Sequence, residues 1–187
     1  MTNTELQTWL DRDDFELLDA IKSEIRTHIA KLHAHSTQFY GYALLPGELE
    51  AICDLVAAFN CESDIAPEHI ASSYYRYSVD EWANYAHSEF PRSSAIIDSR
   101  NAQFKKLHRK DNSNEYLLDD WEVAHANKLL TTILTAMIEL RHDGLLGGEK
   151  SFAIIWISDS DHSIMSQSAK ALNSDAIYKT YIQEFCD

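Results

Sequence analysis

Glycine and proline are scarce in this chain, five and three among 187 residues. So few chain breakers exclude long flexible linkers and argue against disorder. The shortage also removes the glycine-built loops that let backbone approach phosphate or bend sharply. There is no G-x-x-x-x-G-K-[ST], no G-x-G-x-x-G and no G-x-S-x-G. H-E-x-x-H is missing too, and no acidic residue is followed two positions later by Lys, a pairing common in nucleases. Cysteine is sparse: Cys53, Cys61 and Cys186 form an odd set without C-x-x-C spacing. Such a set is expected to be reduced thiols in a reducing compartment. The longest apolar run, Phe152 to Ile157, falls far short of the roughly 20 residues that span a bilayer. Met1 to Asp14 has four acids, one Arg and no apolar core, so no signal peptide is expected. These absences together predict a cytoplasmic protein that does not meet membranes.

Positive charge is the other shortage. Sixteen Lys and Arg stand against 30 Asp and Glu, a formal charge of −14. Such a charge repels nucleic acid and anionic lipid and favours a basic partner. The plainer explanation is that an acidic surface keeps the chain soluble. With 45% hydrophobic residues the length suits one domain, which needs no disulfide or metal staple.

What is present is a sequence of alternating element types. Leu18, Ile21, Ile25, Ile29 and Leu32 form one stripe at helical spacing and predict a helix from about Asp14 to His33, with Asp13 and Glu16 as its start signal. An earlier turn around Leu6, Trp9 and Leu10 precedes it. Gln38 to Leu45 is aromatic-rich and predicts a strand closed by Pro46-Gly47. Ala51 to Phe59 fits either period, and the tight turn before it favours a hairpin strand. Ser78 and Glu81 have capping-box spacing, with Tyr77 and Trp82 placed for a hydrophobic staple. They predict a short helix from Val79 to about His87, stopped before Pro91. Ile97, Asn101, Phe104 and His108 predict another helix, ending in the basic cluster Lys105, Lys106, Arg109, Lys110. After the polar break Asp111 to Asn114, a long helix is predicted from about Asp119 to His142, stopped by Gly144. Phe152 to Ile157 predicts an interior strand buried on both faces and sharing a sheet with Gln38 to Leu45. Two closing helices follow, near Met165 to Leu172 and Ser174 to Phe185. The sum is a single α+β domain, one mainly antiparallel sheet covered by several helices.

Three groups merit a functional reading beside a structural one. Tyr74, Tyr75, Tyr77, Trp82 and Tyr85 put five large rings within twelve residues. Most could be core and staple; an exposed Tyr/Trp patch would instead be the type of surface that dominates binding hot spots. Asp159, Asp161 and His162 form an oxygen-and-nitrogen cluster after the apolar run. It lacks the glycine and terminal Glu of a calcium loop, and a solvated turn with Asp side chains bonding nearby amides accounts for it. The basic cluster either touches an acidic partner or complements the helix dipole and the chain's own acids. His33 and His35, two apart, point about 200° apart on a helix, poor geometry for one ion. No local pattern supports a Cys–His nucleophile. No catalytic residue, metal ligand set or cofactor is therefore assigned. Tyr74, Tyr75, Trp82, Tyr85, Asp159 and Asp161 are the candidate partner-binding residues.

Five blocks resemble one family of bacterial proteins, the domain-of-unknown-function group numbered 4303. They are Phe39-Tyr40-Gly41-Tyr42-Ala43-Leu44, Tyr75-Arg76-Tyr77-Ser78-Val79-Asp80-Glu81-Trp82, Gly144-Leu145-Leu146-Gly147, Ile157-Ser158-Asp159 and Ser168-Ala169-Lys170-Ala171-Leu172-Asn173. They keep the family's order across nearly the whole chain, and Leu146 stands where the family has Phe. The resemblance supplies no catalytic residues. Through the company its relatives keep near toxin genes, it implies an immunity protein that binds a cognate, basic protein toxin inside the producing cell. The alternative is an enzyme or small-ligand protein with a site assembled around the loop Asp159 to His162.

Overall fold

The computed structural model describes residues 3–48, 51–108 and 118–185. Arg109 and Lys110 of the basic cluster, the break at Asp111 to Asn114, and Cys186 lie outside the described residues. The first helix, α1, spans Asn3–Leu10, and α2 spans Phe15–Ala34. The α2 start signal is Asp14 rather than Asp13: its carboxylate accepts from the Leu17 amide and pairs with Arg100 on a distant helix. That second contact holds the carboxyl below its ordinary range even though burial, the largest influence, pushes it up.

Strand β1 (Phe39–Glu48) pairs antiparallel with β2 (Ala51–Cys61), as the hairpin expectation required. Pro46-Gly47 does not close β1. It sits at a register shift inside the strand, with Gly47 at φ +88° and the strand running on to Glu48. Proline lacks a ladder donor, and glycine tolerates the left-handed turn, so the pair makes a bulge instead of an end.

The predicted helix after Ser78 does not form. Ser73–Tyr77 is a short helix, α3, and Ser78 ends it without a side-chain cap, so there is no capping box. A single 3-10 turn, Val79–Glu81, follows, and then strand β3 (Asn84–Ala86) pairs antiparallel with β2. Burial of Trp82 decides this. Its indole lies so close to Gly41 that a methyl group there would sit 2.7 Å from the ring. Only glycine leaves that space, and with Trp82 docked on β1 the next residues run alongside the sheet rather than coiling away from it.

Pro91 begins the next helix instead of merely stopping the previous segment. Helix α4 is Pro91–Leu107, with proline in its first turn, where a missing amide hydrogen is harmless. Its free amides are met from α2: Glu24 accepts from Arg92 N, Ser93 N and Ser93 Oγ at 2.8, 3.0 and 2.5 Å. Helix α5 (Asp120–His142) carries the true capping box, Asp119 with Glu122, and ends where Leu145 N bonds the Leu140 carbonyl.

The run from Phe152 yields β4 (Phe152–Ile155), then α6 (Ser163–Leu172) and α7 (Asp175–Phe185). The sheet order is β3-β2-β1-β4, with β4 parallel to β1. The partner strand is as expected; the interior position is not, because β4 is an edge strand. Its four residues are nevertheless buried, and α6 supplies what a neighbouring strand would. Ser168 Oγ accepts from Ile155 N at 3.0 Å, while Asn173 accepts from Ala153 N at 2.8 Å and donates to Ala153 O at 2.7 Å. An apolar edge thus acquires polar partners without being exposed to water. Helix α2 packs on one face of the sheet, where His28 Nδ1 lies 3.0 Å from the Tyr42 hydroxyl. The opposite face meets the ring cluster of Tyr77, Trp82, Phe152 and Tyr181. Among the described residues no helix is long and apolar enough to cross a membrane.

Candidate functional site: an acidic aromatic face

Among the described residues, 70 to 85 hold three of the five exposed large hydrophobic side chains: Ile70 at 55%, Tyr74 at 41% and Tyr85 at 38%. The exposed apolar residues are thus concentrated in one stretch of the sequence. The stretch Glu62 to Glu89 contains six acids and one Arg, a local charge of −5 before histidines are counted. The lone cation is already neutralised, since Arg76 forks onto Glu62, with Nη1 3.1 Å from Oε2. Its guanidinium also lies 4.4 Å over the Tyr40 ring. Glu62 raises the Arg76 pKa further, so the pair stays ionised.

The rings are rigidly mounted. Tyr74 stacks on Phe185 of α7 at 6.0 Å and meets Tyr75 edge-on at 5.4 Å. Tyr75 in turn stacks on His69 at 3.6 Å. Ser73 also bonds Glu184, tying α3 to the last helix. Tyr85 projects from β3, and its hydroxyl donates to the Val79 carbonyl at 2.7 Å. Burial first, and then Asp80 and Glu81, push the Tyr85 phenol above its ordinary pKa. Those two carboxylates therefore set a negative field around the ring.

Asp80 joins the two regions singled out from the sequence. Its Oδ1 accepts from Trp156 Nε1 at 3.0 Å and from Ser158 Oγ at 2.6 Å. The loop bearing Asp159 and Asp161 is thereby tethered to the turn that precedes Tyr85. Both aspartates are exposed, and Asp159 has φ +54°. Nearby amides are bonded by Ser160 and His162 instead: Ser160 Oγ accepts from His162 N, and His162 Nδ1 from Ile164 N. The aspartates are left facing water.

Trp82 leaves this group. At 4% exposure it belongs to the core, and its Nε1 donates to the Arg76 carbonyl at 3.2 Å. Sequence reasoning missed Ile70, Glu81, Glu184 and the bridging role of Asp80. An apolar residue stranded in the polar turn after Pro67 was a legible hint for Ile70. Nothing local could announce Glu184, which arrives from 111 positions away.

The described residues contain no group of three or more His, Cys, Asp or Glu placed to hold a metal ion. The Cys61 thiol is pushed up to about 11 by burial and by Asp64, which disfavours the nucleophilic thiolate. The face therefore combines mounted rings with surplus negative charge.

The family model for a domain of unknown function, DUF4303, matches residues 17–174. No curated protein and no solved structure matches.

Proposed function

The chain belongs to the DUF4303 family, and on that premise we propose that it is an immunity protein: it captures and neutralises one cognate, basic bacterial toxin in the cytoplasm of the producing cell. One observation carries the reading. Ile70, Tyr74 and Tyr85 are exposed together in a stretch of net charge −5, with the loop of Asp159 and Asp161 tied beside them. Desolvated aromatic anchors set how slowly a complex separates, and the acids around them steer a basic partner in. Tyr74, Tyr75 and Tyr85 are the anchors; Asp80, Glu81, Asp159 and Asp161 supply the field.

The test is kinetic and needs the partner, obtained by pull-down with the full-length chain from its native host. Raising salt from about 0.05 to about 0.5 M shortens the screening length from over 10 Å to about 4 Å, so association slows by an order of magnitude or more. Tyr74→Ala with Tyr85→Ala speeds dissociation roughly tenfold or more while association barely changes. Salt-independent association removes the electrostatic half of the proposal. Unchanged dissociation moves the contact to another surface.

A further inference from the structure

One carboxylate of the acidic face has surroundings that repeat an arrangement found elsewhere in this chain. In that arrangement the Arg76 guanidinium forks onto Glu62 and lies 4.4 Å over the Tyr40 ring. A guanidinium suits both partners at once. Its N–H fork matches the two oxygens of a carboxylate, and its flat, weakly hydrated face is drawn to the negative face of an aromatic ring. An ammonium is a strongly hydrated point charge and has no fork.

Glu81 stands between rings in the same way, without a cation from its own chain. It is exposed, and among the described residues no Lys, Arg or His forms an ion pair with it. Its one printed contact is with Tyr74, whose hydroxyl donates to Oε1 at 3.4 Å, long for an O–H donor. On its other side the Tyr85 hydroxyl is pinned to the Val79 carbonyl at 2.7 Å, which lays that side chain back along the turn Val79–Glu81. The Tyr85 phenol, raised first by burial, is raised further by Asp80 and Glu81, so the Glu81 charge is felt at that ring as well. Neighbouring acids are committed: Asp80 to Trp156 and Ser158, Glu184 to Ser73, and Glu62 to Arg76. Both tyrosines are exposed, at 41% and 38%, and both are held before any partner arrives, Tyr74 by its stack on Phe185. Little ordering is then left to oppose binding.

We propose that Glu81, Tyr74 and Tyr85 form an arginine-recognition site, in which one arginine of the partner forks onto Glu81 and lays its guanidinium against the tyrosines. The inference rests on the immunity reading for the protein nature of that partner. It adds that the decisive cation is a guanidinium rather than an ammonium, the choice this chain makes for its own Glu62.

The probes are acetyl-arginine amide and acetyl-lysine amide, of equal charge and different head group, titrated at low salt into the full-length chain and followed by NMR. The arginine probe should bind with a Kd of about 10 mM or tighter, and the lysine probe about threefold or more weakly still. The Glu81 carboxylate carbon and the ring protons of Tyr74 and Tyr85 should move with the arginine probe. The Glu62 carbon, already forked by Arg76, should not. Glu81→Gln keeps the shape and removes the charge, and should weaken the arginine probe about threefold or more. Should that variant fail to fold, the two probes on the wild-type chain decide alone. Equal affinity for both probes, no movement at Glu81 and the two rings, or equal movement at Glu62 each overturns the proposal. Failure to capture a basic toxin would overturn the immunity reading and leave the titration result standing. A captured toxin with a failed titration would keep that reading and remove the arginine site.

Discussion

The two ends of the sheet are finished in opposite ways. At the β4 end, Ser168 and Asn173 meet the outward backbone groups, and every residue of the strand is buried. Along β2, beyond the reach of β3, Ser94 accepts from Leu55 N and Asn101 donates to Ile52 O. One serine and one asparagine thus close each long edge from a helix. The β3 end has no such cover. It is three residues long, its middle residue Tyr85 is exposed, and among the described residues no helix side chain bonds its backbone. Shortness protects it from strand addition, and acids around it repel copies of this acidic chain. The covered edge is built for stability, and the bare end leaves rings and charge available to another molecule.

The largest effect should come from the residue that joins these regions. Trp82→Ala removes the ring between Gly41 and Phe152 and should cost about 3–5 kcal/mol in urea denaturation. A cost below about 1 kcal/mol would mean that Trp82 is a surface ring after all. Next in size is the covered edge. Asn173→Ala orphans both the amide and the carbonyl of Ala153, with an expected loss of about 2–3 kcal/mol, largely restored by Asn173→Gln only if the longer side chain still reaches. Hydrogen exchange at Ala153 should accelerate in parallel, and an unchanged rate would show that the edge does not depend on this contact. Tyr85→Phe should cost about 1 kcal/mol, the worth of one hydrogen bond to the Val79 carbonyl. At the bottom of the scale, Ile70→Ser should leave the denaturation midpoint within the shift expected for about 0.5 kcal/mol, because the side chain is already in water. A large loss there would place Ile70 in the fold and subtract it from the face.

Much of the fold was legible from local pattern. The stripe Leu18 to Leu32 gave α2, the long apolar period gave α5, and the β-rich run gave β4, because each is decided by which residues must leave water. Where two local rules competed, the sequence favoured the wrong one. Ser78 and Glu81 have capping-box spacing, but the burial of Trp82 outweighs a cap worth about 1 kcal/mol. Pro46-Gly47 has the composition of a turn, but the β1–β2 ladder continues through it. Of the candidate face, the sequence indicated Tyr74, Tyr75 and Tyr85, since an aromatic excess is countable, and wrongly added Trp82.

By itself the sequence determined most of the element types, though not those after Ser78, and the α+β class and the acidic surplus, all properties of composition and short-range period. Tertiary structure alone decided which rings are exposed, which end of the sheet is left bare, and that Asp80 binds the Ser158 loop to the tyrosine turn. It also decided that, among the described residues, His125 Nδ1 is buried without a hydrogen-bond partner. These are contacts between residues 24 to 111 positions apart, and in a chain of this length no local preference fixes which distant partners meet. That choice belongs to the packing of the whole core.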